Sequence, residues 1–558
     1  MTAQVGPDVD TRENRAVDSI ALPGTNPMTN VETIARMLEQ AGVRWVFGIP
    51  SGPVLPLIEA LGRSPVEFVL TASETSAGFM ATTVGQLTGA PGACAATVGP
   101  GATNLTTGVG CAWLDCAPVL AITCNVSSPW LGRRIQMRID HNALFRPLTK
   151  ATFALDADNV AERMAEAVAL ATAEPPGPVH LDLPEDVGVA ASTGAVPATV
   201  SAPVLEDVAE EARAALAEAL SRSRRPLVIT GLTFARCAAA DSLQRFIEAH
   251  RLPFVSTLHA KGCLPESHPN WAGVIGRARR TDVQRILDRA DLIVAVGYDP
   301  IEINYEEWVG DTPVFHLDTT PAEPDPRVRF AFNRGGDLDQ ALRRCEDLPP
   351  VANDWTPEEL EAHRDKLDRE LRPEASGFAA HHVLDVLRAA LPADGILAYD
   401  VGAHTHQIAT QWRTDLPRTL LATNGWSSMG FGMPAAYAAK MVHPDRAVVA
   451  VVGDGCFQMT AGELAVARRR NLAVPVIVLN DGWLGLMKVK QERREFPLSG
   501  VELGTGAASP PHYFGVPCRS ATNIEEAEAA IRWGLDLDGP SVIEAFIDVE
   551  PYSVTVFD

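Results

Sequence analysis

The amino-acid sequence predicts an α/β protein of three domains: two doubly wound parallel-sheet domains flanking a Rossmann-like middle domain. Three observations carry this. At about 100–200 residues per domain, a chain of 558 residues suggests about three units. Short apolar, β-branched runs alternate with helical stretches in three blocks. Continuous runs at 448–452 and 474–479 fit strands of a parallel sheet covered on both faces.

The first block is placed at 27–186, with strand candidates at 43–48, 67–70, 93–97, 119–123 and 179–183 and a helix around 76–85. It closes on the Pro-rich run Glu174-Pro175-Pro176-Gly177-Pro178. Small uncharged residues at 187–204 read as a linker. The middle block, 205–345, has strand candidates at 226–230, 292–297 and 314–318. Charged and proline-bearing residues at 346–375 read as a second linker before the third block, 376–558. Residues 1–26 are polar and dotted with Pro and Gly, as expected of an extension or loose strap.

Composition narrows the partners. The formal net charge is −23, from 47 basic and 70 acidic residues, which disfavours nucleic acid and anionic membrane surfaces. No apolar run reaches membrane-span length, and no basic-then-apolar leader pattern opens the chain. The nine cysteines include no C-x-x-C pair, so reduced thiols in a cytoplasmic protein are expected rather than a disulfide frame or zinc site.

Chemistry concentrates in the third block. Gly453-Asp454-Gly455 ends one strand candidate, and Asn480-Asp481-Gly482-Trp483 ends the next. In open α/β sheets ligands bind at the carboxyl ends of strands. Two carboxylates, Asp454 and Asp481, suit a hard cation such as Mg²⁺ that shares its shell with phosphate. Gly455 allows close backbone approach, and the helix start behind it offers N–H groups to an anion. Taken alone, Gly-Asp-Gly also fits a plain turn.

Asp454 and Asn480 lie 26 residues apart, and the pair resembles the thiamine-diphosphate (ThDP) signature. The run 457–464 and the Met-containing loop 424–434 resemble the segments that flank it in that family. Phe47-Gly48-Ile49-Pro50-Ser51-Gly52 and Gly99-Pro100-Gly101-Ala102-Thr103-Asn104 are similar to its glycine loops in the first block. From about Thr29 onward the chain resembles acetolactate synthase-like enzymes of the pyruvate decarboxylase/acetohydroxyacid synthase superfamily. Val296-Gly297-Tyr298-Asp299-Pro300-Ile301-Glu302 is similar to their FAD-free, catabolic members, which speaks against FAD.

The resemblance implies roles. Asp454, Asp481 and the Trp483 carbonyl would hold Mg²⁺; Ser51, His404, Gly453, Gly455, Cys456, Leu484 and Gly485 would lie along ThDP. Ala403 stands where many relatives have Gln, which removes one phosphate contact. Met429 would prop the cofactor in its bent shape, with the backbone of Ser427 and Met429 on the aminopyrimidine; packing in a core is the other fate of such a methionine. Glu74 would act as the carboxyl on a pyrimidine nitrogen, a general acid/base role. Local sequence also fits Thr71-x-x-Glu74 as a capping box, and Ser73 stands where relatives often have His. Gln136 would lie near the reacting carbon, or in a plain exposed loop.

The implied reaction is decarboxylation of a 2-oxo acid such as pyruvate and carboligation of the resulting enamine to an acceptor carbonyl, in a homodimer or homotetramer. Residues 484–491 would line the acceptor pocket, with Leu486 and Met487 as candidates; Lys488, Lys490 and Arg493 would attract an acidic acceptor or form a solvated face. Simple decarboxylation, a diketone lyase or hydrolase, and a non-catalytic subunit of the same fold are the alternatives. A nicotinamide-binding protein lacks its G-x-G-x-x-G after a first strand.

Overall fold

The structure is a computed structural model that describes residues 28–193, 204–323, 325–504 and 508–556. The expected extension at 1–26 and most of the first linker lie outside the described residues.

The first sheet comprises β1 (Trp45–Gly48), β2 (Glu67–Leu70), β3 (Gly92–Ala96), β4 (Val119–Asn125), β5 (Ala151–Ala154) and β6 (Pro178–Pro184). Its order is β2-β1-β3-β4-β6-β5, parallel throughout. The second contains β7 (Pro226–Thr230), β8 (Phe254–Ser256), β9 (Trp271–Val274), β10 (Leu292–Val296), β11 (Val314–Asp318) and β12 (Phe330–Gly335), in the parallel order β12-β11-β10-β7-β8-β9. The third holds β13 (Ile396–Tyr399), β14 (Leu420–Leu421), β15 (Val448–Gly453), β16 (Pro475–Asn480), β17 (His512–Tyr513), β18 (Val516–Ala521) and β19 (Ser541–Phe546). Its order is β14-β13-β15-β16-β19-β18-β17, with only the edge hairpin β17–β18 antiparallel. All three sheets are thus the α/β kind expected.

The runs at β15 and β16 are buried along nearly their whole length, as strands under helices on both faces must be. Strands with weaker apolar signatures, such as β5, β9, β12 and β18, were not among the sequence candidates. Residues 346–375 are no plain linker. They contain the helix Pro357–Glu370, whose Leu360 and Leu367 join the middle-domain core beside Trp271 and Trp355.

Two packing features position the site. The helices Glu74–Thr88 and Pro100–Leu114 cross at Gly78 and Gly108, where a Cβ on either glycine would meet the other's backbone at 2.6 or 2.5 Å. The Glu74–Thr88 helix also packs on the third-domain helix Gly432–Val442, with Phe79 and Phe431 edge to face at 5.7 Å. The first and third sheets therefore share one apolar core.

Candidate functional site

A cavity of about 260 Å³ opens at the carboxyl ends of β13, β15 and β16. His404, Ser427, Met429, Gly453, Asp454, Gly455, Cys456, Asp481, Trp483, Leu484 and Gly485 all line it. These are the third-block residues that the sequence singled out for cofactor and metal. Every lining residue falls between 401 and 552.

Asp454 is buried; its Oδ1 accepts the Gly455 N–H (2.9 Å) and its Oδ2 the Gly482 N–H (3.0 Å). The strand ends of β15 and β16 are thereby tied together. The helix begins at Asp454 itself, so the Gly455 N–H is already engaged rather than free as expected. Asp481 accepts the Trp483 N–H at 2.9 Å, and a Cβ on Gly485 would meet Asp481 Oδ2 at 2.8 Å. Burial pushes the Asp454 carboxyl up to about 6. Burial, and then the charge of Asp454, push Asp481 up to about 7. Two carboxyls that resist ionising together are a donor set a divalent cation would relieve.

The wall also fits a diphosphate. His404 is buried, its Nε2 has no partner among the described residues, and burial lowers its proton affinity to about 4, so the ring is neutral near pH 7. Cβ atoms on Gly402 or Gly453 would strike that ring at 2.8 or 3.1 Å. A Cβ on Gly455 would meet Leu484 at 2.9 Å and the Met429 methyl at 3.3 Å. Met429 is half-buried against the shared core. Ser427 is held at positive φ (50°), and its Oγ donates to the Asn424 carbonyl at 2.5 Å. Cys456 donates to the Val401 carbonyl at 3.1 Å, and burial raises its pKa well above the usual range.

The first-domain residues gather elsewhere, at the adjacent ends of β2, β1 and β3. Glu74 is buried at the first turn of its helix, and Asn104 Nδ2 donates to its Oε2 at 3.2 Å. A Cβ on Gly101 would lie 3.3 Å from the other carboxylate oxygen. Ser51 donates to Thr97, which stands against Gly101. Ser73, not Thr71, caps the helix, accepting from the Ser76 N–H; Thr71 donates to the Ser73 carbonyl. The capping-box reading therefore fails, and the Glu74 carboxylate is left for another task. Gln136 is exposed in a loop laid against the Gly99 turn and is not brought to the cavity.

Three carboxylates escaped sequence reasoning. Asp400, at the end of β13, is buried and accepts N–H groups from Val401, Gly430 and Gly432 at 2.8–3.0 Å, tying down the Met429 loop. Glu463 reaches from the third domain to the N–H groups of Ala72 and Ser73. Glu544 accepts from Asn480 at 2.7 Å behind the metal loop. Glu463 lies within the run 457–464 that resembles the family segment, but its role was not read there; Asp400 and Glu544 lie in no such run. Among the expected acceptor-side residues, Leu486 and Met487 line the cavity. Lys488 does not face a ligand: it is buried and paired with Glu492 (2.6 Å) and Glu550 (2.9 Å).

Comparison with known proteins agrees with this geometry. Residues 28–144 match the thiamine pyrophosphate enzyme, N-terminal TPP binding domain, residues 213–345 its central domain, and residues 400–545 its C-terminal TPP binding domain. The chain is 30% identical to acetolactate synthase isozyme 2 large subunit of Escherichia coli, across 93% of this chain and 96% of that one. It is 29% identical to acetolactate synthase of Bacillus subtilis, across 93% of each. It is 31% identical to acetolactate synthase large subunit of Corynebacterium glutamicum, across 93% of this chain and 87% of the relative. Matched domains on all three sheets, and near-full-length similarity, place the chain in the acetolactate synthase-like family of thiamine-diphosphate-dependent enzymes.

Proposed function

We propose that the chain decarboxylates a 2-oxo acid, with pyruvate the first candidate, and joins the remaining two-carbon unit to an acceptor carbonyl. The observation that supports it most is the cavity that combines Asp454, Asp481, Met429 and a His404 whose Nε2 has no partner among the described residues. Mg²⁺ would be held by Asp454, Asp481 and the Trp483 carbonyl, and His404 would meet the diphosphate. Bound ThDP would supply an electron-accepting ring for the carbon that loses CO₂. Met429 would support the cofactor's bend between its two halves, and the Ser427–Met429 backbone would hold the pyrimidine edge.

Glu74 would hold a proton at a pyrimidine nitrogen, shielded by its burial and steered by Asn104. Because the cavity wall is drawn wholly from 401–552, Glu74 would come from a second copy of the chain, making a homo-oligomer the working form. Nine free thiols are compatible with a reducing, cytoplasmic setting.

The test is a mass-spectrometric product screen with ThDP, Mg²⁺, pyruvate and a panel of 2-oxo acids and aldehydes. Acetolactate or another ligated product is expected. Acetaldehyde as sole product would make the chain a simple decarboxylase, and no CO₂ from any 2-oxo acid would overturn the reading.

A further inference from the structure

Next to the Gly99 turn runs a buried chain of polar side chains that the chemistry above does not use. It crosses the first sheet on the neighbouring strands β4, β6 and β5. Thr123, His141 and His180 are fully buried, and Asp182 nearly so. The Gly99 N–H reaches His141 Nε2 at 3.3 Å, and His141 Nδ1 lies 2.9 Å from Thr123 Oγ1. Thr123 Oγ1 is 2.7 Å from His180 Nε2, and His180 Nδ1 is 2.6 Å from Thr152 Oγ1. Thr152 meets Asn142 Oδ1 at 2.7 Å, and Asn142 Nδ2 meets Asp182 at 3.0 Å.

The two ends set the direction of every bond. A backbone N–H can only donate, and a carboxylate can only accept. Asn142 therefore turns its Nδ2 to Asp182, and its Oδ1 takes the Thr152 hydroxyl proton. Thr152 in turn accepts from His180, whose Nδ1 carries the hydrogen. Burial lowers His180 to about 3, so its Nε2 is bare and accepts the Thr123 hydroxyl proton. With that proton spent, Thr123 accepts from His141 Nδ1, which also faces Asp182 Oδ1 at 3.4 Å. His141 Nε2 is left bare for the Gly99 N–H. Both rings thus carry their hydrogen on Nδ1. Reversing one member would set two donors or two acceptors face to face in a dry interior.

The Gly99 turn bears directly on Glu74. It opens the helix Pro100–Leu114, in which Gly101 abuts one Glu74 oxygen and Asn104 donates to the other. On its other side the turn is closed by the Gln136 loop, since a Cβ on Gly99 would strike the Met137 carbonyl. We propose that His141 is a positioning residue: through this relay it fixes the Gly99 turn, and with it the Glu74 carboxylate, for proton transfer at the cofactor. His180 and Asp182 act one step further back, holding the His141 ring in the tautomer that can accept. The inference rests on the proposed role of Glu74 and extends it.

Two substitutions separate the two ring nitrogens. In His141→Gln the amide oxygen replaces Nε2 and still takes the Gly99 N–H, while the bond to Thr123 is lost. In His141→Asn the amide replaces Nδ1, and Gly99 loses its acceptor. For CO₂ release from pyruvate, kcat is expected to fall at least about tenfold in His141→Asn and to stay within about threefold in His141→Gln, at similar KM. A merely structural role would make kcat follow melting temperature instead, and equal kcat in the two folded variants would overturn the proposal. Nitrogen NMR of isotope-labelled histidines reads the relay without turnover. Hydrogen on Nδ1 of both His141 and His180 supports it, and hydrogen on Nε2 alone in either ring overturns it. Exchange of the Gly99 amide hydrogen should be slow in wild type and His141→Gln, and at least about tenfold faster in His141→Asn. If no 2-oxo acid yields CO₂, the functional reading falls, while the tautomers and the exchange rates still decide whether His141 holds the turn.

Discussion

Glu463 accepts the backbone N–H of Ser73 at 3.1 Å, so a third-domain carboxylate anchors the turn that launches Glu74. The same carboxylate takes the Ala72 N–H at 3.1 Å. Glu463→Leu would strand both donors, at about 1–3 kcal/mol each, and let Glu74 drift. A tenfold or greater loss of kcat is expected, since about 1 Å of misplacement can cost about 10²-fold. CO₂ release at saturating pyruvate checks this; wild-type kcat in a folded Glu463→Leu protein would refute it.

Glu74→Gln keeps the shape and one oxygen for Asn104 but loses the proton-holding carboxyl. Turnover should fall about 10²–10⁴-fold, while ThDP affinity, followed by tryptophan fluorescence, changes far less. A variant as fast as wild type would remove Glu74 from the chemistry.

The metal pair dictates a pH dependence. Asp454 and Asp481 are raised to about 6 and about 7, above the ordinary aspartate value of about 3.9. The folded, metal-free protein binds these protons more tightly than the unfolded chain does. Their contribution to its stability therefore falls as pH rises from about 4 through about 7. Mg²⁺ needs both groups ionised, so its affinity should rise across pH 6–7 with proton release. Calorimetric Mg²⁺ titrations in buffers of different ionisation enthalpy read both quantities; flat affinity across that range would contradict the assignment.

Asp400→Asn would point an amide at three N–H groups that now share one carboxylate. Bonds to a charged acceptor are worth about 1.5–3 kcal/mol each. Loosening the Met429 loop by even one of them should weaken ThDP binding about tenfold or more. An unchanged ThDP dissociation constant would show that the loop holds itself.

How much of this was legible beforehand depended on how local the signal was. Asp454 and Asp481 announce themselves because each closes a β-branched strand and adjoins glycine, and the cavity indeed gathers them with Met429 and His404. Glu74 was legible only by resemblance: its neighbours Thr71 and Ser73 compete for the same cap, and geometry gave that cap to Ser73. Asp400, and the role of Glu463 within the run 457–464, were illegible because their partners are backbone N–H groups, which carry no sequence signature. The helix Pro357–Glu370 was read as linker because its charges outnumber the few leucines that bury it.

The confinement of the cavity wall to residues 401–552 has a genetic consequence. Under the proposed pairing of chains, a lesion in Glu74 and a lesion in Asp454 damage opposite ends of the same polypeptide. Two dead alleles would then rescue one another: each mixed pair assembles one site with both defects and one with neither. Activity regained on co-expressing Glu74→Gln and Asp454→Asn chains, from two preparations inert alone, would make the enzyme's unit of inheritance the pair rather than the chain.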